Sequence, residues 1–157
     1  MVKVATIKID TREQKPLFFS DSFITAFLVE KLDVGDYSLV GYEDILTVER
    51  KGSTAEFAQN VLEKRFDREL EKLEKYKHGF VVCEFSMTDL INYPINSGIP
   101  QKLLARIKIT GDFLLKRMLE YQLQYNTKII LCDSRFQATK VIVSLFKRVH
   151  EIHKRAI

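Results

Sequence analysis

The chain has 157 residues, 46% hydrophobic and 29% charged, with six Gly and three Pro, which describes one ordinary globular domain able to bury a core without staples. No run reaches membrane-spanning length, the N-terminal Met1–Thr6 lacks the apolar stretch of a signal peptide, and Cys83 and Cys132 sit in apolar runs without metal-ligand spacing. A membrane protein and a disulfide-framed secreted protein are therefore not expected, and an intracellular one with free thiols is. The net charge of +4 and a pI of about 9.0 suit a polyanionic partner without requiring one.

Residues 3–9 alternate polar and apolar side chains and predict a first strand, ending in Asp10-Thr11-Arg12-Glu13 ahead of Lys15-Pro16. Residues 21–31 place Phe23, Ile24, Phe27 and Leu28 at helical spacing, with Asp21 or Ser22 as N-cap, and predict a helix. Leu32–Leu39, around Gly35-Asp36-Tyr37, and Asp44–Lys51 predict two strands of a hairpin turned at Gly41-Tyr42-Glu43. A long helix follows to about Tyr76, opened by Ser53 with Glu56 three residues on as a capping box. Its apolar stripe is Phe57, Val61, Leu62, Phe66, Leu70 and Leu73, beside a basic stripe of Lys64, Arg65, Arg68 and Lys72.

Phe80–Phe85 is nearly continuous in apolar residues, as a central strand should be, with Glu84 its one anomaly. Thr88–Tyr93 predicts a helical turn, residues 94–100 a loop, and Gln101–Ile107 a helix. A further helix is expected from Gly111 or Asp112 to about Gln124, a strand over Thr127–Cys132, and a last helix from Phe136 or Ala138 to about Lys154. Strands separated by helices predict one α/β domain over 1–157, a mixed central sheet covered on both faces.

Within that frame, Asp36 and the run Val48-Glu49-Arg50-Lys51 carry the chemistry. Alternation on a strand puts Glu49 and Lys51 on one face and Arg50 on the other. An acid on one strand facing Glu-x-Lys on the next suits a metal-dependent phosphodiesterase. The carboxylates can hold a hard divalent cation and the lysine can manage a water or phosphate oxygen. The competing reading is a solvated surface ion pair worth roughly 0–1 kcal/mol.

Four blocks in order, Ile9–Glu13, Leu32–Tyr37, Val48–Lys51, and a long helix leading to Val82-Cys83-Glu84, resemble the nuclease domain of XPF-type structure-specific endonucleases. These belong to the PD-(D/E)xK, restriction-endonuclease-like superfamily, and the resemblance spans essentially the whole chain. It implies a DNA endonuclease dependent on Mg²⁺ or Mn²⁺, acting on branched, flapped or nicked duplex and leaving 5′-phosphate and 3′-hydroxyl ends. Asp36 and Glu49 would be the metal ligands, joined by the Arg50 carbonyl. Lys51 would orient or activate the attacking water, and Asp10 and Glu13 would form a second acidic cluster. Arg12 and Arg50 would support the carboxylates or approach a phosphate, and Lys64, Arg65 and Arg68 would contact DNA.

Glu56 stands one residue beyond the family's Asp and reads either as its counterpart or as a capping-box partner. Glu69 stands where the family often has Gln. Glu84 reads either as an acid of the site or as the partner of a buried Arg or Lys. His150 and His153 have no third ligand and are not expected to bind metal. The C-terminal helix carries Val141, Ile142, Leu145, Phe146, Val149 and Ile152, which suit core packing or, by the resemblance, a homo- or heterodimer interface. No helix-hairpin-helix region follows, so substrate choice is expected from this domain, its dimer or another chain, in a cytoplasmic or nucleoid-associated setting. The alternatives are a non-catalytic DNA-binding partner subunit on the same fold, and a junction-resolving or restriction-type nuclease.

Overall fold

The structure is a computed structural model that describes residues 5–155; Lys3 and Val4 of the expected first strand lie outside this range. A six-stranded mixed sheet in the order β2-β1-β3-β4-β5-β6 forms the centre. It comprises β1 (Ala5–Ile9), β2 (Ile24–Val29), β3 (Tyr37–Leu39), β4 (Leu46–Lys51), β5 (His78–Cys83) and β6 (Lys128–Leu131). β3 runs antiparallel to both β1 and β4, whereas β1–β2, β4–β5 and β5–β6 are parallel pairs. Both faces are covered. Helix α6 (Arg135–His153) packs Ala138, Ile142 and Phe146 on one face, and α1 (Thr54–Leu62), α2 (Lys64–Leu73) and α5 (Gly111–Gln124) pack on the other. β5 shows the alternation that makes this possible, since Phe80 and Val82 enter one core while Val81 and Cys83 enter the other. The short helices α3 (Met87–Ile91) and α4 (Gln101–Leu104) connect β5 to α5.

Two expectations are corrected. Residues 24–29 form an edge strand, not a helix. The segment Ile-Thr-Ala-Phe-Leu-Val is rich in strand formers, and its backbone pairs with β1 from Ala5↔Ile24 to Ile9↔Val29. Phe27, Leu28 and Val29 stay partly exposed at the sheet margin, with the Phe19 ring 6.3 Å from that of Phe27. Asp21 caps no helix; its carboxylate accepts the Phe23 N–H at 2.8 Å in a local turn.

The long helix is also broken, at Glu63, which has extended backbone (φ −102°, ψ 127°). In an unbroken helix Phe66, nine residues on from Phe57, would point about 180° away from it. The break lets both enter one core, their rings meeting edge-on with centroids 6.0 Å apart. Leu62, counted in the apolar stripe, is left 64% exposed. The reorientation also turns Arg65, Arg68 and Glu69 toward the ends of β3 and β4.

Most of the apolar set on α6 is used in its own core. Ile142, Phe146 and Val149 are buried, Val141 and Leu145 pack partly against them, and Ile152 alone of the set is exposed.

Gly35 fixes the entry to β3. Its φ is +84°, and a Cβ there would fall 2.1 Å from the Thr47 hydroxyl, which itself donates to the Val34 carbonyl at 2.6 Å. Gly35→Ala should therefore cost about 1–3 kcal/mol in urea unfolding, through left-handed backbone and overlap with Thr47. An unchanged midpoint would show that the turn is not so constrained.

Candidate active site

Asp36 is stitched to both neighbours of β3. Its N–H donates to the Val48 carbonyl at 2.8 Å, and its own carbonyl accepts the Asp10 N–H at 2.9 Å. The antiparallel register sets Tyr37 opposite Val48, so Asp36 and Glu49 flank that pair on the two strands. The Arg50 N–H donates to the Asp36 carboxylate at 2.8 Å. This single bond does not offset the environment. Burial first, and then the charge of Glu49, push the Asp36 carboxyl up to about 8. Burial pushes Glu49 upward too, against the pull of Lys51.

Lys51 is buried, with 3% of its surface exposed, and its ammonium lies 3.2 Å from Glu49 and 3.8 Å from Glu69. It also sits over the Phe66 ring at 5.1 Å. Burial alone would lower its pKa, but the charges of Glu49, Glu69 and Glu56 outweigh it and hold the ammonium charged. Glu69 is the residue that sequence reasoning left without a role here. It pairs with Arg65 one helical turn back at 3.4 Å through Oε1, while its buried Oε2 faces the Lys51 ammonium at 3.8 Å without a hydrogen bond. Its charge is therefore balanced by Lys51, and the oxygen has acceptor capacity left for a further donor. The signal for it was the break at Glu63, which has no local sequence mark.

The other acids divide by how they are bonded. Asp10 is 1% exposed, and its two oxygens together accept the Arg12 N–H, two Arg12 guanidinium bonds and the Leu32 N–H, at 2.7–3.2 Å. Four bonds occupy a carboxylate's acceptor sites. Burial raises its pKa, but these bonds and the Arg12 charge win and hold it below its ordinary value. Asp10 therefore anchors Arg12, whose side chain remains 62% exposed.

The Arg50 guanidinium points away from Glu49 and Lys51. It donates to Glu84 at 2.6 Å, Glu13 at 3.2 Å and the Lys15 carbonyl at 2.9 Å. Glu84, open between two readings in the sequence, is thus the partner of this buried arginine. Glu56 uses its Oε2 to accept the Gly52 N–H at 2.8 Å while its own N–H donates to Ser53 Oγ. The capping box is shifted by one residue, to Gly52.

Two adjoining hollows, of about 440 and 710 Å³, meet at these groups and share Arg12, Asp36, Glu49, Arg65 and Glu69 along their walls. Asp10, Arg68 and Lys72 line the first, and Glu13, Arg50, Lys51, Glu56 and Glu84 the second. Lys64 is exposed and lines neither. Among the described residues no three His, Cys, Asp or Glu side chains already converge as a closed metal cage. What the site offers is two crowded carboxylates open to a hollow, with basic side chains on the rim. No described helix is long and apolar enough to cross a membrane.

An acid entering one strand, Glu-x-Lys on its antiparallel neighbour, and a mixed sheet covered on both faces place an acidic cluster at the strand ends of an α/β domain. The chain belongs to the ERCC4 domain family, whose pattern matches residues 9–145. Two solved structures share its fold. One is described as XPF from Aeropyrum pernix in complex with DNA, with a TM-score of 0.65 and 20% identity over 98% of this chain and 68% of that one. The other, XPF from Aeropyrum pernix, gives a TM-score of 0.64 and 20% identity over 92% of this chain and 64% of that one. No curated protein matches the chain.

The displaced Asp36 carboxyl has a consequence for stability. Its folded pKa of about 8 exceeds its unfolded value near 4, so its contribution is fully present below about pH 4 and is lost as the pH rises through about 8. In metal-free buffer Asp36→Asn should therefore gain on the parent between pH 5 and pH 8.5, by about 1–3 kcal/mol in urea unfolding. The figure is kept below the full shift because the amide still accepts the Arg50 N–H. A difference between the two proteins that does not change with pH would contradict the buried, crowded carboxylate.

Proposed function

We propose that this domain is a divalent-metal-dependent DNA endonuclease that hydrolyses phosphodiester bonds in branched, flapped or nicked duplex. The observation that carries the reading is the crowding of Asp36 and Glu49. Two partly buried carboxylates beside one hollow must take up a proton or a cation. All the available donors are oxygens, which suits Mg²⁺ or Mn²⁺ over softer metals. Asp36 and Glu49 would hold the ion, with the Arg50 carbonyl as a third oxygen. When bound, such an ion polarises a phosphate and makes a water molecule more acidic at neutral pH.

The chain's own groups then have distinct tasks. Lys51, charged and held against Glu49, orients the attacking water and stabilises negative charge as it develops on the phosphoryl oxygens. Arg50, clamped between Glu13 and Glu84, fixes the end of β4 and so the aim of the Asp36 and Glu49 carboxylates. Arg12, Arg65 and Arg68 stand on the rim, where they follow the phosphate backbone and make binding salt-sensitive. The related Aeropyrum pernix structure in complex with DNA supports a nucleic-acid substrate on this fold. Pairing of two such domains through α6 would rest on Phe136, Ile152 and polar outer positions, because Ile142, Phe146 and Val149 lie in the domain's own core.

Purified protein supplied with Mn²⁺ and a labelled flap or fork should nick it. Asp36→Ala and Glu49→Ala should each lower the rate by at least about a hundredfold while leaving DNA binding intact. Full binding by the parent with no nick on any branched substrate would favour the non-catalytic partner subunit. Cutting by Asp36→Ala at the parental rate would end this mechanism.

A further inference from the structure

A third hollow, of about 770 Å³, lies between the loop at residues 18–21 and the outer side of α6, outside the machinery described above. Phe18 and Phe136 stand on its walls at 80% and 67% exposure. Phe18 cannot fold inward. Its neighbours Leu17 and Phe19 are each 3% exposed, and the Leu17 N–H donates to the Tyr37 hydroxyl at 2.8 Å. Phe136 sits in the first turn of α6, whose inward positions are taken by Ala138, Ile142 and Phe146. Two large aromatic faces are thus held open to solvent on rigid supports.

The charge around them has one sign. Arg135, Lys140, Lys147 and Arg148 line the hollow with a single acid, Asp21, which Lys147 already neutralises at 2.8 Å. Arg148 makes a solvent-exposed pair with Glu151, of little strength. Among the described residues no carboxylate pairs with Arg135 or Lys140, and the Lys140 ammonium lies 5.1 Å from the Phe136 ring centroid. The hollow also continues toward the candidate active site. Arg135 lines it and the larger of the two catalytic hollows. The Lys15 carbonyl accepts from both Arg50, at 2.9 Å, and Arg135, at 3.1 Å.

We propose that this groove holds an unpaired nucleic-acid strand, stacking its bases on Phe18 and Phe136 and its phosphates against Arg135 and Lys140. It would thereby lead the single-stranded arm of a branched substrate toward Asp36 and Glu49. The assignment rests on the nucleic-acid reading of the neighbouring site. A duplex keeps its base faces stacked inside, so exposed aromatic faces beside unpaired cations match a single strand better. An acidic peptide would match the charge but leave the rings without flat partners.

The chain contains no Trp, so Phe136→Trp introduces a lone indole into the groove of the intact protein. A thymidine oligonucleotide should quench its fluorescence, and a blunt duplex of equal length should not. The double variant Phe18→Ala with Phe136→Ala should bind the oligonucleotide about tenfold or more weakly while its affinity for blunt duplex is unchanged. Both positions are exposed, and Phe136→Tyr, which keeps an aromatic face, should restore binding. Absence of quenching by the oligonucleotide in a protein that still nicks a flap would overturn the groove and leave the active-site reading standing. Quenching without any nicking would do the reverse. Equal quenching by blunt duplex would also overturn the assignment. So would a fall in molar mass by light scattering in the double variant with unchanged oligonucleotide affinity, which would make the groove a contact between copies.

Discussion

The pairing of Tyr37 with Val48 brings the Asp36 and Glu49 carboxylates into one partly buried space. Neither could reach its position alone. Asp36 needs the left-handed turn at Gly35 and the backbone bonds to Val48 and Asp10, and Glu49 needs β4 to be held by β5 on its other side. Once both are in place, mutual repulsion and loss of water act in the same direction, and the folded chain carries an unfavourable concentration of negative charge. A proton taken up by one of the two carboxyls relieves that strain, as would a further positive charge beside them.

Two basic side chains keep that concentration tolerable, in different ways. Lys51 lies inside the cluster and balances Glu49 and Glu69 at 3.2 and 3.8 Å. Arg50, the residue between, turns to the opposite side and locks Glu84 and Glu13. Alternation along one strand therefore assigns adjacent cations to separate networks, Lys51 with Glu49 and Glu69 and Arg50 with Glu13 and Glu84, both beside the larger catalytic hollow. Removing either partner from the Arg50 network would leave a buried charge uncompensated, which is far costlier than the pair is stabilising. Asp10 makes the same point from the acidic side. With all its acceptor sites occupied by Arg12 and Leu32, it serves as an anchor for a rim arginine.

Around this centre the chain distributes its remaining charge by surface. The acids concentrate at the floor of the hollows, and arginines and lysines stand at their rim and along the start of α6. A negative floor within a positive rim attracts a polyanion while concentrating the acidic groups in one place. The fold shared with the Aeropyrum pernix structures at 20% identity shows how little common sequence the sheet and its layers require.

Much of this was readable before any tertiary contact was known. Local periodicity is a property of neighbouring residues, so β1, β4, β5, β6, α5 and α6 were all legible, as were Gly35-Asp36-Tyr37 and Glu49-Arg50-Lys51. Residues 24–29 were misread because apolar spacing at 23, 24, 27 and 28 fits a helix as well as an edge strand, and only β1 decides between them. The break at Glu63 escaped notice because an apolar residue, Leu62, happened to continue the stripe into solvent. Sequence by itself determined which chemical groups the strands carry and in what order, since bonding and alternation need nothing beyond the chain's neighbours. Only the tertiary structure decided which acids are neutralised and which remain in conflict. Desolvation and charge proximity are set by contacts between residues far apart in the chain, from Asp10 with Leu32 to Arg50 with Glu84.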